Sequence, residues 1–112
     1  VPERDAMLEA LRKLASSEAT LVIAHGGQAS EAVQRVAWEF PQQRFASIQG
    51  HLTRPNLAVY EVRQEQSAWL AGAAAGLLTK SGVVGHLSGV RVPPGLVARA
   101  AYADGLRTTN PK

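Results

Sequence analysis

The feature that most constrains this fold is the alternation of short apolar runs with longer segments of helical periodicity. Strand patterns are predicted over residues 20–24, 45–48, 57–62 and 83–87, and helical repeats over residues 3–16, 29–40, 65–79 and 96–106. Strands that alternate with helices over short connections form βαβ units. The pattern therefore predicts an α/β fold built on a mainly parallel sheet.

Local composition sharpens these predictions. The run at residues 20–24 (TLVIA) is almost continuously apolar, which is typical of a strand buried on both faces. Alternation over residues 57–62 is imperfect, so we expect one face of that strand to be partly exposed. Small residues in the helix over 65–79 predict close approach to a sheet, and Gly89 with Pro93 and Pro94 predicts a turn before the last helix.

Composition bounds the class of protein. With 112 residues, 46% hydrophobic and 19% charged, a chain of this length makes a single compact unit when complete. Without cysteine it can form neither a disulfide nor a thiolate metal site. The net charge of +3 is spread along the chain, which argues against a nucleic-acid partner. No apolar run is long enough to span a membrane.

The loop His25-Gly26-Gly27 is the first candidate for ligand contact, because it joins a predicted strand to a predicted helix. In open α/β sheets, ligands bind beyond the carboxyl ends of strands, where helix N-termini present unpaired N–H groups. The alternative interpretation is a tight turn that needs glycine, and both remain open. Neither a dinucleotide-binding nor a P-loop glycine motif occurs, so no cofactor is expected.

Catalytic and metal chemistry find little support. The histidines His25, His51 and His86 lie at or near predicted strands without the spacing of metal ligands, so no metal is expected. A Gly-x-Ser-x-Gly elbow is absent, and the carboxylates fall on predicted solvated faces. The sequence therefore predicts a protein that is not an enzyme. Trp38 and Trp69 fall in helical repeats and are predicted to pack in the core or at an interface rather than to stack on a ligand, with the core favoured.

An ordered series of motifs runs through the second half of the chain. Asn56 and Glu65 precede WLAGAAAGLLTKSGVVGHLSG, which is followed by Pro93 and by a helix that ends DGLRTTNP at Pro111. Upstream, LVIAHGGQASEAVQRVAWEFPQQRFASIQG has the order strand, glycine loop, helix, proline, phenylalanine and strand. This series resembles the basic-membrane-protein family, the PnrA-like nucleoside-binding lipoproteins of ABC transporters, over about residues 19–112.

The resemblance implies a type I periplasmic-binding-protein fold, in which two Rossmann-like lobes close on a small ligand. It places residues 1–80 in the first lobe, without its opening βα unit, and residues 81–112 in the crossover and the start of the second. Gly89 and Pro93 would belong to the hinge. The implied partners are a nucleoside-like ligand and an ABC permease, and the implied location is extracytoplasmic, as a periplasmic protein or a membrane-anchored lipoprotein.

Two departures from the family pattern qualify this expectation. The chain is far shorter than the family, which indicates a fragment or a truncated relative whose open sheet edges could pair in a homodimer. Gly27 also stands where the family often has an aromatic residue, and Gln49 where it often has Asp. We therefore expect His25, Gly26, Gly27 and Gln49 to form an altered ligand site. The alternative function is a ligand-sensing or interaction module of a regulatory protein.

Overall fold

The computed structural model describes residues 2–112, which divide into two compact units on either side of the Val62–Arg63 bond. The first unit contains α1 (Pro2–Ala15), β1 (Val22–His25), a single 3-10 turn (Gly27–Ala29), α2 (Ser30–Glu39), β2 (Phe45–Ile48) and β3 (Leu57–Tyr60). The second contains α3 (Gln64–Leu78) and α4 (Pro93–Thr109). No helix among residues 2–112 is both long enough and apolar enough to cross a membrane.

The three strands form one parallel sheet in the order β1-β2-β3. In register, Val22 is opposite Phe45, and Phe45 is opposite Leu57, so the strands begin and end together. A helix, α2, connects β1 to β2, as the sequence pattern predicts for a βαβ unit. The predicted parallel α/β architecture is confirmed.

The core of the first unit lies on one face of this sheet, under α1 and α2. Alternate strand positions supply it because successive side chains point to opposite faces of a sheet. Its buried members are Leu8, Leu11, Ala15, Val22, Ala24, Ala29, Ala32, Val33, Val36, Ala37, Phe45 and Leu57. On the opposite face, Ile23 is 60% exposed and Tyr60 is 59% exposed. The prediction that residues 20–24 are buried on both faces is therefore wrong, whereas the partial exposure predicted for β3 is confirmed.

An ion pair fastens α1 to α2 at the edge of this core. The Arg12 guanidinium donates from Nε to Glu39 Oε2 and from Nη2 to Glu39 Oε1, both at 2.7 Å. Arg35, one helical turn before Glu39, adds a contact at 3.3 Å. The hydrogen bond from Arg12 is the main cause that lowers the pKa of Glu39 from 4.5 to about 2, and Arg35 contributes further. The two helices are thus joined by a bidentate pair of complementary geometry.

In the second unit, α3 and α4 pack against each other through small residues. A Cβ added at Gly72 would overlap Tyr102 O, and one added at Gly105 would overlap Trp69 O. Thr109 Oγ1 donates to Ala73 O at 2.9 Å, which pins the end of α4 to the middle of α3. The small residues of α3 therefore serve close approach to a helix, and the predicted approach to a sheet is wrong for these residues.

The strand predicted over residues 83–87 is not formed. Those residues have no regular structure, and Leu87 is 99% exposed. A β-strand requires a neighbour with which to exchange backbone hydrogen bonds, and the sheet of the described residues contains only β1, β2 and β3. The turn predicted at Pro93 and Pro94 is also wrong, because α4 begins at Pro93, where a missing N–H costs no helical hydrogen bond.

Candidate functional site

The predicted ligand-contact residues lie together at the carboxyl ends of the three parallel strands. We call this end of the sheet its carboxyl edge, as distinct from the open sides of β1 and β3. His25 ends β1, and its register partner Ile48 ends β2 immediately before Gln49. Gly26 N donates to Ile48 O at 3.0 Å, which ties the loop after β1 to the end of β2. Gln49 N donates to Tyr60 O at 2.8 Å, which ties the next residue of that edge to β3. Ligands bind at this edge in open α/β sheets.

Gly26 has a backbone that requires glycine. Its φ of 99° and ψ of 145° lie in a region that L side chains rarely adopt, and a Cβ there would meet Gln28 Oε1 at 2.6 Å. The tight-turn interpretation of this glycine is therefore correct. Gly27 opens the 3-10 turn, and His25 is exposed at the end of β1. Ligand contact by His25, Gly26 and Gly27 stays a prediction.

Gln49 has two properties that set it apart. Its φ is 68°, in the left-handed region that non-glycine residues seldom occupy. It is also 8% exposed, and its Oε1 is buried without a hydrogen-bond partner in the part of the chain that the structure describes. A buried polar atom without a partner is uncommon in a folded protein, and it is often found where a ligand or water binds. The geometry fits a ligand that donates a hydrogen bond here.

The neighbours of Gln49 are also polar and closely packed. Ser47 is 1% exposed, and its Oγ is a second buried atom without a partner among residues 2–112. A Cβ added at Gly50 would lie 2.7 Å from Ser47 Oγ, so the chain passes directly over that hydroxyl. The two oxygens belong to residues two positions apart, Ser47 within β2 and Gln49 directly after it. The sequence prediction included Gln49 but missed Ser47, because a serine in a short apolar run gives no signal of its own.

A hydrogen-bonded group of side chains lies at the start of α2. Ser30 is 2% exposed, and its Oγ lies 3.1 Å from His51 Nδ1 and 3.2 Å from Gln34 Nε2. Sequence reasoning treated His51 as an ordinary histidine and did not single out Ser30. A serine at the start of a helical repeat is a detectable signal, but its partner 21 residues away is not.

The remaining candidates belong to the second unit. Gly89 lies in the irregular segment before α4, and Pro93 is the first residue of α4, so both belong to the second unit. Their hinge role stays a prediction. His86 lies 3.0 Å from Ser88 Oγ and contacts the ring of Tyr102. Within residues 2–112 no group of three or more potential ligands is placed to hold a metal ion.

The two tryptophans do not occupy the core as predicted. Trp38 is 72% exposed on α2, so its core prediction is wrong. Trp69 is half-buried in the second unit, where its Nε1 donates to Asp104 Oδ2 at 2.8 Å. A polar N–H makes Trp well suited to such a surface position.

Comparison with known proteins identifies the family. The model of the Bmp family, described as ABC transporter substrate-binding proteins of the PnrA-like type, matches residues 2–112. This chain belongs to the Bmp family. The resemblance drawn from the ordered motifs is therefore confirmed, and the family is one of substrate-binding proteins rather than of enzymes.

Individual Bmp relatives are consistent with this assignment. A Haloferax volcanii protein whose name assigns it to glucose binding by an ABC transporter is 31% identical over 77 residues, which are 69% of this chain and 20% of that protein. A purine-binding protein of Brucella abortus is 27% identical over 77 residues, which are 69% of this chain and 22% of that protein. The chain thus spans about a fifth of the length of these relatives.

A solved structure supports the fold assignment independently. The solute-binding protein of an ABC transporter system from Conexibacter woesei is 30% identical and superposes with a TM-score of 0.63. The match covers 96% of this Bmp chain and 37% of that protein. The parallel sheet with flanking helices therefore matches part of the architecture of that larger solute-binding protein.

Proposed function

We propose that this chain is part of the solute-binding protein of an ABC importer and contributes to the recognition of a purine nucleoside. Binding would take place at the carboxyl edge of the sheet, with contacts from His25, Gly26, Gly27 and Gln49, and would involve no bond chemistry. The observation that carries the proposal is the buried, unpartnered Oε1 of Gln49 at that edge. Membership of a substrate-binding family supports the same role.

The chemistry of Gln49 favours a neutral ligand with hydroxyl groups. A glutamine amide can accept through Oε1 and donate through Nε2, so it can bind a hydroxyl group in either direction. Purine and glucose are the ligands named for the two relatives, and a purine nucleoside carries both a purine base and a sugar. Its ribose hydroxyls would supply the donor that Gln49 Oε1 lacks.

Calorimetry with adenosine, guanosine and inosine, and with glucose for comparison, tests the ligand class. We expect binding of at least one nucleoside by the wild-type chain. Replacement Gln49→Leu should weaken that binding by roughly tenfold, because it removes one buried hydrogen bond of about 1.4 kcal/mol. The matched control is Gln42→Leu, at an exposed glutamine outside this edge, which should bind like the wild type.

Three results would contradict this proposal. Absence of heat with every nucleoside would remove the ligand assignment. Equal loss of affinity in Gln42→Leu and Gln49→Leu would show that the effect does not arise at the edge of the sheet. Glucose binding without nucleoside binding would redirect the assignment to sugars.

The remaining partners follow from the family role. In this proposal the whole protein works outside the cytoplasmic membrane, as a periplasmic protein or a lipoprotein, and delivers its ligand to an ABC permease. Residues 1–80 belong to its first lobe and residues 81–112 to the crossover and second lobe, with Gly89 and Pro93 at the hinge.

A second copy of this chain can pair with it along the open edges of β1 and β3, each of which has one neighbour in the described sheet.

A further inference from the structure

The side chain of Ser30 bridges two elements at the edge of the sheet. It is the first residue of α2, it is 2% exposed, and its Oγ lies between Gln34 Nε2 at 3.2 Å and His51 Nδ1 at 3.1 Å. Gln34 lies one helical turn further along α2, whereas His51 lies in the segment that follows β2. The bridge therefore joins the helix that follows the glycine loop to the segment that carries Gln49.

Ser30 Oγ takes part in two hydrogen bonds. Gln34 Nε2 can only donate, so Ser30 Oγ accepts that bond. The hydroxyl keeps a hydrogen and a second lone pair, so toward His51 Nδ1 it donates or accepts according to the tautomer of the ring. In either direction the bond joins the start of α2 to the segment after β2.

The geometry points to Ser30 and His51 as positioning residues, and we propose that their hydrogen bond holds Gln49 and Gly50 in the conformation that presents Gln49 Oε1 at the edge of the sheet. This proposal rests on the proposed function only in its consequence for ligand affinity. Neither residue needs to touch the ligand. The bond would act by fixing the backbone two residues beyond Gln49.

The backbone of Gln49 needs such a restraint. A residue in the left-handed region persists there only when its surroundings enforce the conformation. On one side, Gln49 N is bound to Tyr60 O at 2.8 Å. On the other side, the restraint comes from His51. Of residues 49–53, it is the one whose side chain forms a hydrogen bond within the described residues, to Ser30 Oγ. Breaking the bond to Ser30 would therefore release the segment on that side.

Amide hydrogen exchange tests the proposal without any ligand. In Ser30→Ala and His51→Leu, we expect the Gln49 amide to exchange at least about tenfold faster than in the wild type, measured relative to the Val36 amide in the core of α2. His51 is exposed, so its replacement should leave the fold intact even if Ser30→Ala does not fold. His86→Leu, which breaks the comparable pair of His86 and Ser88, is the matched control and should not change exchange at Gln49.

A conservative variant at His51 separates the effect of the hydrogen bond from the effect of side-chain volume. His51→Asn places Oδ1 the same number of bonds from the backbone as Nδ1, so it retains an acceptor for Ser30 and should restore slow exchange. Exchange that is unchanged in His51→Leu, or equally fast in His51→Asn, would overturn the proposal.

Adenosine titration supplies the second arm. If the wild type binds adenosine, Ser30→Ala and His51→Leu should weaken binding about tenfold, and His51→Asn should bind within about twofold of the wild type. Unchanged affinity in His51→Leu would contradict the positioning role. If the wild type binds no nucleoside, the proposed function fails, and the exchange measurements alone decide whether Ser30 and His51 position Gln49.

Discussion

At the scale of single residues, two polar side chains hold the first unit together through hydrogen bonds to residues far away in the chain. Asn56 Nδ2 lies within hydrogen-bonding distance of Ala37 O, Phe40 O and Gln43 O, at 2.8, 3.0 and 3.0 Å. It thereby satisfies carbonyls at the end of α2, where a helix leaves acceptors without intrahelical partners. Its place in the family motif is thus explained by local architecture rather than by ligand contact.

The other such residue is Glu39. Its ion pair with Arg12 makes the stability of the fold depend on pH. Arg12 lowers the pKa of Glu39 from 4.5 to about 2, so the folded state binds that proton less readily than the unfolded state. The stabilising contribution is present above about pH 4.5 and is lost as the pH falls through about 2. We expect Glu39→Gln to remove this contribution and to flatten the fall in melting temperature between these two pH values.

The control for this measurement is Glu31→Gln, which neutralises an exposed carboxylate on the same helix. The melting temperature of Glu31→Gln should fall with decreasing pH in parallel with that of the wild type. Because the side chains of Arg12 and Glu39 are 40% and 25% exposed, solvent weakens the pair and the effect should be modest. An acid profile of Glu39→Gln that runs parallel to the wild type would contradict the assignment.

At the scale of elements, the sequence predicted most helices and strands because each carries its own periodicity. The prediction for β2 matches Phe45–Ile48, and those for α2 and α3 differ from the structure by one residue at either end. The failure at residues 83–87 has a physical cause. Apolar composition favours a strand, but the strand forms only if a neighbour supplies hydrogen bonds, and local sequence does not encode that neighbour.

The glycines of the helical pair give the element-scale prediction. A Cβ at Gly105 would overlap Trp69 O and lie 3.0 Å from Ala73 N, and both are backbone atoms that cannot turn aside. Gly105→Ala should therefore destabilise the packing of α3 against α4 by about 2 kcal/mol or more, despite a gain of up to about 1 kcal/mol in helix propensity. Faster hydrogen exchange of the α3 amides would report this loss.

Gly95 is the matched control, because it lies in the same helix and its added Cβ would approach Val90 O no closer than 3.6 Å. Gly95→Ala should keep only the propensity gain and leave exchange in α3 unchanged or slower. Equal effects of the two substitutions would show that helix propensity, rather than close approach, decides the outcome.

At the scale of the whole molecule, the sequence predicted which candidate residues lie at one end of the sheet better than it predicted how they are held there. The rule that ligands bind at the carboxyl ends of parallel strands was enough to bring His25, Gly26 and Gln49 to one edge. Two features could not be predicted: the left-handed backbone of Gln49 and the hydrogen bond between Ser30 and His51. Both depend on contacts between residues far apart in the chain. Family membership supplied the function class that the residues alone did not.

The open edges of the sheet provide the last prediction. Val22 N donates to Arg44 O and Gly26 N to Ile48 O, so the alternation of a parallel ladder turns the N–H of Ile23 away from β2, toward the open edge of β1. Proline is tolerated on an edge strand where its missing N–H would face outward. If two copies pair along this edge, Ile23→Pro should lower the dimer fraction in sedimentation experiments, whereas Ile23→Ala keeps the N–H and should still dimerise. A wild type that stays monomeric would contradict the pairing. An equal loss of dimer in Ile23→Pro and Ile23→Ala would assign the contact to the exposed face of the sheet instead of the open side of β1.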